Sequence, residues 1–144
     1  MKTFEQEEGG KIYIFLGFML IMDLLIPLTM IFFGKMFIRK PPKEVNMFFG
    51  YRTSMSMKNK DTWDFAHKYY GRIWYYCGLV TLPLTVLAML MVLGKNEDCI
   101  GRAGGMICMI QMIPLVGGIL PTELALRKQF DGDGVRREKG KTKE

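Results

Sequence analysis

The sequence predicts an all-α integral membrane protein with three transmembrane helices and a motif-bearing cytoplasmic loop. Three observations lead there. Of 144 residues, 49% are hydrophobic and 24% charged, and the two classes fall in separate blocks, as membrane spans require and a soluble core does not. Three apolar runs, at about 12–34, 73–94 and 103–121, are near the length that crosses a hydrocarbon layer. The basic residues gather in alternate segments between and beyond those runs. The length fits one domain. Residues 1–121 read as the membrane domain and 122–144 as a charged cytoplasmic tail.

Met1 to Lys11 is short and leans acidic, with Glu5, Glu7 and Glu8. It lacks the basic start and cleavage site of a signal peptide, so the first apolar run is expected to be retained. That run, 12–34, is about 34 Å long as a helix. It carries one charge, Asp23, and no polar stripe.

The first loop, 35–72, holds nine Lys/Arg against three acids, Glu44, Asp61 and Asp64. Pro41-Pro42 stops a helix leaving the first span. Asn59 is placed to cap a following helix, with Asp61 and Asp64 in its first turn. Helical spacing then puts Trp63, Ala66, His67, Tyr70 and Trp74 on one face. That face suits either an interfacial packing surface, where Trp and Tyr are common, or a ligand site. The loop helix is expected to run on into the second span, 73–94, with Gly71 as the only interruption.

Residues 95–102 form a tight connection. The third span, 103–121, is shorter and contains Gln111 and two glycine pairs, so a tilted or re-entrant segment is the alternative. Gly101 and Gly105 have the spacing of a helix-dimer motif. The tail from Asp131 has too few apolar residues to fold alone and is expected to be disordered. Asp131-Gly-Asp133-Gly134 has the start of a calcium loop but lacks its later ligands.

Sixteen of the twenty Lys/Arg lie in the first loop and the tail. Three spans place both on one side, and the positive-inside rule makes that side cytoplasmic and the N-terminus external. The net charge of +6 is then a topology signal, and no nucleic-acid motif accompanies it. The expected partner is the lipid bilayer, with no direct nucleic-acid contact.

Polar groups at depth are few. Asp23, at the centre of the first span, should face other helices, since a charge at mid-membrane is costly. Each span has a mid-depth proline, Pro27, Pro83 or Pro114, which frees the carbonyl four residues earlier. Thr29, Thr81, Thr85 and Gln111 are the side chains available there. These residues suggest one polar nook built from Asp23, Gln111 and Thr81, serving either as glue between helices or as a proton- or ligand-linked group. No nucleophile–base pair or carboxylate pair has workable spacing. Cys77, Cys99 and Cys108 form no metal or disulfide pattern. The thirteen Met suit packing rather than metal binding. Neither enzymatic activity nor a cofactor is expected.

The segment Asn46-x-x-Phe49-Gly50-Tyr51-Arg52-Thr53, followed by Trp63 and then Ala66-His67 leading to Gly71, resembles the SdpI family of bacterial membrane proteins. Ser54 stands where many members carry Pro. The family's best-known member protects its producer from a secreted peptide toxin and holds a repressor at the membrane. The resemblance therefore implies a cell-membrane immunity or signalling protein that binds a peptide toxin, a cytoplasmic regulator, or both. A small proton- or solute-linked transport subunit using Asp23 is the alternative. A third reading is an adaptor held by lipid. On chemistry alone, Gly50 permits a tight turn. Arg52 beside Tyr51 and Thr53 suits a lipid phosphate or an acidic partner, or locks the loop in place. Trp63 is expected to anchor the second helix at the interface. Asn46, Gly50, Tyr51, Arg52, Thr53, Trp63 and His67 are thus the candidate partner- or lipid-binding residues, and Asp23 and Gln111 the candidate intramembrane polar ones.

Overall fold

The computed structural model describes residues 1–138. Among them the chain is all-helical, with α1 at Lys2–Arg39, α2 at Lys60–Met91, α3 at Glu97–Gly117 and α4 at Ile119–Gln129. Three helical stretches, Lys2–Arg39, Lys60–Met91 and Glu97–Gln129, are long and apolar enough to cross a membrane. α1 lies mainly against α2, and α3 touches both.

The expected boundaries shift in both directions. α1 begins ten residues before the first apolar run, because the acidic stretch from Lys2 continues the same helix. The first loop is half helix, since α1 runs on to Arg39 and α2 begins at Lys60. Asn59 caps α2 as its position implied: its Oδ1 accepts from Thr62 N at 2.9 Å, and Thr62 Oγ1 accepts from Asn59 N at 3.1 Å. This reciprocal pair satisfies two otherwise orphaned donors. α2 stops at Met91, short of Gly94, which turns the chain with φ +77°. Asn96 then caps α3, accepting from Cys99 N at 3.0 Å. The expected 95–102 connection is therefore mostly the first turns of α3.

The first part of the tail is helix too, since α4 continues α3 past a mild break at Gly118. Disorder from Asp131 was the expectation, and here the described residues differ. Asp131 Oδ1 accepts from Asp133 N and Val135 N at 3.0 and 2.9 Å, the side-chain-to-backbone turn that Asp favours. Asp131 N donates to Val135 O at 2.9 Å, Arg137 N donates to Gln129 O at 2.8 Å, and a bridge pairs Phe130 with Arg136. Asn59 Nδ2 donates to Gly134 O at 2.7 Å, and Lys58 Nζ to Gly132 O. The Asp-Gly-Asp-Gly run is thus a turn docked on the start of α2. Residues 139–144 lie outside the described part.

Glycine sets how closely α1 and α2 approach. A β-carbon on Gly34 would lie 2.6 Å from Tyr75 N, one on Gly71 2.8 Å from Phe37 Cβ, and one on Gly78 2.9 Å from Pro27 O. Backbone meets backbone along this seam, the use of small residues that helix packing in lipid favours. Gly71, read from sequence as an interruption, is a contact. In contrast, nothing lies within 4 Å of Gly105, and Gly101 meets only the ring of Phe15 at 3.8 Å. Gly104, between them, carries the packing.

The core sits at the loop end of the helices. Tyr51, Met55, Ala66, Tyr70, Leu126 and Phe130 form one buried cluster. Farther along, the spans are thin, and most large apolar side chains there point outward.

Candidate functional site

The motif folds as a chain of local turns fastened to α2. Asn46 Oδ1 accepts from Phe48 N and Phe49 N at 3.1 and 2.9 Å, which turns the chain. Gly50 follows with φ +109°, and a β-carbon there would collide with His67 Nε2. Both the backbone conformation and the space admit only glycine.

That approach lets Tyr51 N donate to His67 Nε2 at 2.9 Å. Nε2 must then be unprotonated. The other ring nitrogen, Nδ1, lies 2.8 Å from Trp63 O and carries the proton it donates there. The two contacts fix one neutral tautomer. Burial pushes the His67 pKa below its ordinary value, opposed by the Trp63 carbonyl and Asp64. His67 is fully buried and Trp63 with it. Trp63, expected to anchor α2, packs on His67 with ring centroids 4.2 Å apart and donates Nε1 to Pro42 O at 2.9 Å. It ties the chain leaving α1 to α2. Trp63, Ala66 and His67 on this face are wholly buried against neighbouring side chains, and Tyr70 lies buried at its end.

After Tyr51 the chain is held by Thr53 and Ser56. Thr53 N donates to Ser56 Oγ at 2.8 Å, Ser56 N donates to Thr53 Oγ1 at 3.2 Å, and Ser56 Oγ donates to Tyr51 O at 3.1 Å. Thr62 Oγ1 lies 3.1 Å from Ser56 O and donates to it, linking this turn to the α2 cap. The far wall is joined by three donors at the α3–α4 break. Tyr70 OH and Trp74 Nε1 donate to Leu115 O at 2.9 and 3.1 Å, and Tyr51 OH donates to Ile119 O at 3.2 Å.

What remains open is a groove of about 330 Å³ between α1, the motif and the α3–α4 break. Phe33, Phe37, Phe49, Tyr70 and Trp74 line it with aromatic surface, and Gly50, Tyr51, Arg52 and Thr53 form its polar end. Arg52 is exposed and donates Nη1 to Met47 O. Sequence reasoning found the motif residues but not the groove, because Phe33 and Phe37 lie in another helix with no local signal pointing at them.

The intramembrane candidates do not form one nook. Asp23 is 2% exposed, and its Oδ2 faces Gly104 of α3, where a β-carbon would lie 3.1 Å away. Gln111, two turns further along α3, donates Nε2 to Thr85 Oγ1 at 2.6 Å. Asp23 Oδ2 and Gln111 Oε1 are buried without partners. Thr81 stays out of this group, because its hydroxyl donates to Cys77 O in its own helix at 2.8 Å. Thr85 likewise donates to Thr81 O at 2.8 Å. The backbone of each threonine's own helix supplies the nearest acceptor and takes the hydroxyl first.

Fold and site together define an all-helical protein with three helices long and apolar enough to cross a membrane, gathered by a motif loop. The model of the SdpI/YfhL protein family matches residues 43–122, from the end of the double proline to the first turn of α4. The chain belongs to the SdpI/YfhL family. It is also similar to the uncharacterized protein YfhL of Bacillus subtilis (strain 168), at 28% identity over 90 residues covering 62% of this chain and 68% of that protein. No solved structure matches it.

Proposed function

We propose that this chain is an immunity or signalling protein of the bacterial cell membrane, acting by binding rather than by catalysis. In this reading the N-terminus is outside, and the motif loop and tail face the cytoplasm. A peptide toxin is met from outside or within the membrane, and a regulator protein from inside. The observation that carries the reading is the motif loop, which lies within the matched family segment and turns an apolar and basic edge outward. Met47 and Phe48 are largely exposed there, beside Arg52. Exposed apolar residues rimmed by charge suit a protein or membrane contact. The contact of Lys58 and Asn59 with the Gly132–Gly134 turn supports loop and tail sharing one side.

The test is survival of cells challenged with a secreted peptide toxin, with membrane-fraction protein measured in parallel. Arg52→Lys keeps the charge and loses the planar fork. Protection lost at normal abundance supports a binding role for Arg52. Full protection by Arg52→Lys at normal abundance counts against it. Reporter fusion after Glu144 tests orientation, and an external reading sinks the topology.

The unpartnered Asp23 Oδ2 and Gln111 Oε1 favour a second reading, a small proton- or solute-linked transport subunit. Ion flux in vesicles that is lost in Asp23→Asn would support it. Equal flux in both proteins would remove it.

A further inference from the structure

The aromatic groove has the shape of an amphiphile: one charged end and one apolar length. Thr29, Phe33 and Phe37 repeat every fourth residue on α1, so they line up along one side for about 12 Å. Phe49 closes over this row, with ring centroids 5.8 Å from Phe33 and 5.7 Å from Phe37, and Trp74 stands 6.4 Å from Phe37. The phenol groups of Tyr51 and Tyr70 and the indole N–H of Trp74 already donate to carbonyls of the α3–α4 break. They offer the groove ring surface rather than hydrogen bonds.

Charge is confined to the motif end. Arg52 commits one nitrogen to Met47 O. Among the described residues, none of the three ion pairs includes it. Its remaining N–H groups form a fork suited to phosphate. Lys35, Arg39, Lys40 and Lys43 surround the same end in sequence and add to its attraction for an anionic membrane face.

We propose that the groove holds one anionic phospholipid of the surrounding bilayer, its phosphate on Arg52 and one acyl chain along Thr29, Phe33 and Phe37. A bilayer lipid fits better than a peptide because the groove descends along a span helix from the loop, as a lipid does from headgroup to tail. A peptide backbone would bring polar groups along its whole length, and away from Arg52 the aromatic lining offers them few partners. The proposal goes beyond the immunity or signalling role and does not depend on any toxin.

Fluorescence decides it. The full chain is reconstituted in phosphatidylcholine vesicles and titrated with phosphatidylglycerol or phosphatidylcholine brominated on the acyl chains. Trp74 lines the groove, whereas Trp63 is buried behind Pro42, so Trp74→Phe supplies the background. The expected result is half-maximal Trp74 quenching at a several-fold lower mole fraction of brominated phosphatidylglycerol. Arg52→Gln should bring the two lipids level, and Thr29→Phe, filling the inner end from an exposed position, should weaken quenching by both. Equal quenching by both lipids in the unaltered protein overturns the proposal. So does a preference that survives Arg52→Gln, or quenching no greater than in Trp74→Phe, which would leave the groove to a peptide or a second copy. Survival assays read the toxin role separately, so either idea can fail alone.

Discussion

The loop end and the middle of the spans bury polar groups in opposite ways. At the loop end, Asn59, Thr62, Ser56, Thr53, His67 and Trp63 each find a partner, and the hydrogen bonds run in sequence from the α2 cap to the motif. Among the described residues there, only Glu123, at its edge, keeps a buried oxygen alone. At mid-span Asp23, Thr85 and Gln111 are buried, and Asp23 and Gln111 each leave an oxygen without a partner. A satisfied network rigidifies and selects one geometry, whereas an unsatisfied group is costly and is retained for another reason. The loop end is therefore the part that specifies the structure. The unsatisfied oxygens at mid-span add nothing to that specification.

The sharpest way to break this contrast is Gly50→Ala. It adds a strained φ and a collision with His67, and should cost about 3 kcal/mol or more, since strain and overpacking add. Melting in detergent should show a large fall in midpoint. An unchanged midpoint would mean the loop is not fastened as described.

Next comes pH. His67 is folded with a pKa below the unfolded value of 6.5, so the protonated form favours the unfolded chain. Its contribution is complete above about pH 6.5 and declines as pH falls below that through the folded pKa. Protonation also removes the acceptor for Tyr51 N–H, leaving a buried donor unpaired at a cost of about 1–3 kcal/mol. Melting midpoints from pH 8 to pH 5 should drop on the acid side. His67→Phe should start lower and show less of that drop. Parallel profiles would remove His67 as the cause.

Asp23→Asn should change stability by less than about 1 kcal/mol, because a neutral isostere in the same unpaired site loses no hydrogen bond. A large loss of folded protein would mean that Asp23 has a partner that holds the bundle together. The smallest effect belongs to Gly105→Ala, with open space around it, which should stay within about 0.5 kcal/mol. Gly104→Ala, three ångströms from Asp23 Oδ2, should cost measurably more, and equal behaviour of the two would contradict the α1–α3 seam.

Much of the fold was legible because its signals are local. The apolar runs marked the long helices, Asn59 marked a helix start, and the spacing of Trp63, Ala66, His67 and Tyr70 marked one shared helix face. The misses share a different character. Gly34, Gly71 and Gly78 meet across two helices, and no run of neighbouring residues reveals which glycine faces a partner backbone. The Asp131 turn is too polar to fold alone and holds because Asn59 and Lys58, more than seventy residues earlier, take its carbonyls. In the site, the motif was readable and its groove was not, for the same reason.

Asn59 uses both ends of one amide: the oxygen starts α2 and the nitrogen grips Gly134. In evolutionary terms the position is pleiotropic. Asp, Ser and Thr are all serviceable helix caps, yet Asp would set a carboxylate against the Gly134 carbonyl, and none of the three supplies the amide donor. Neutral drift among good caps is therefore closed at this site while the turn persists. Substitutions at 59 and at 131–134 should be epistatic, each tolerated chiefly in the background of the other.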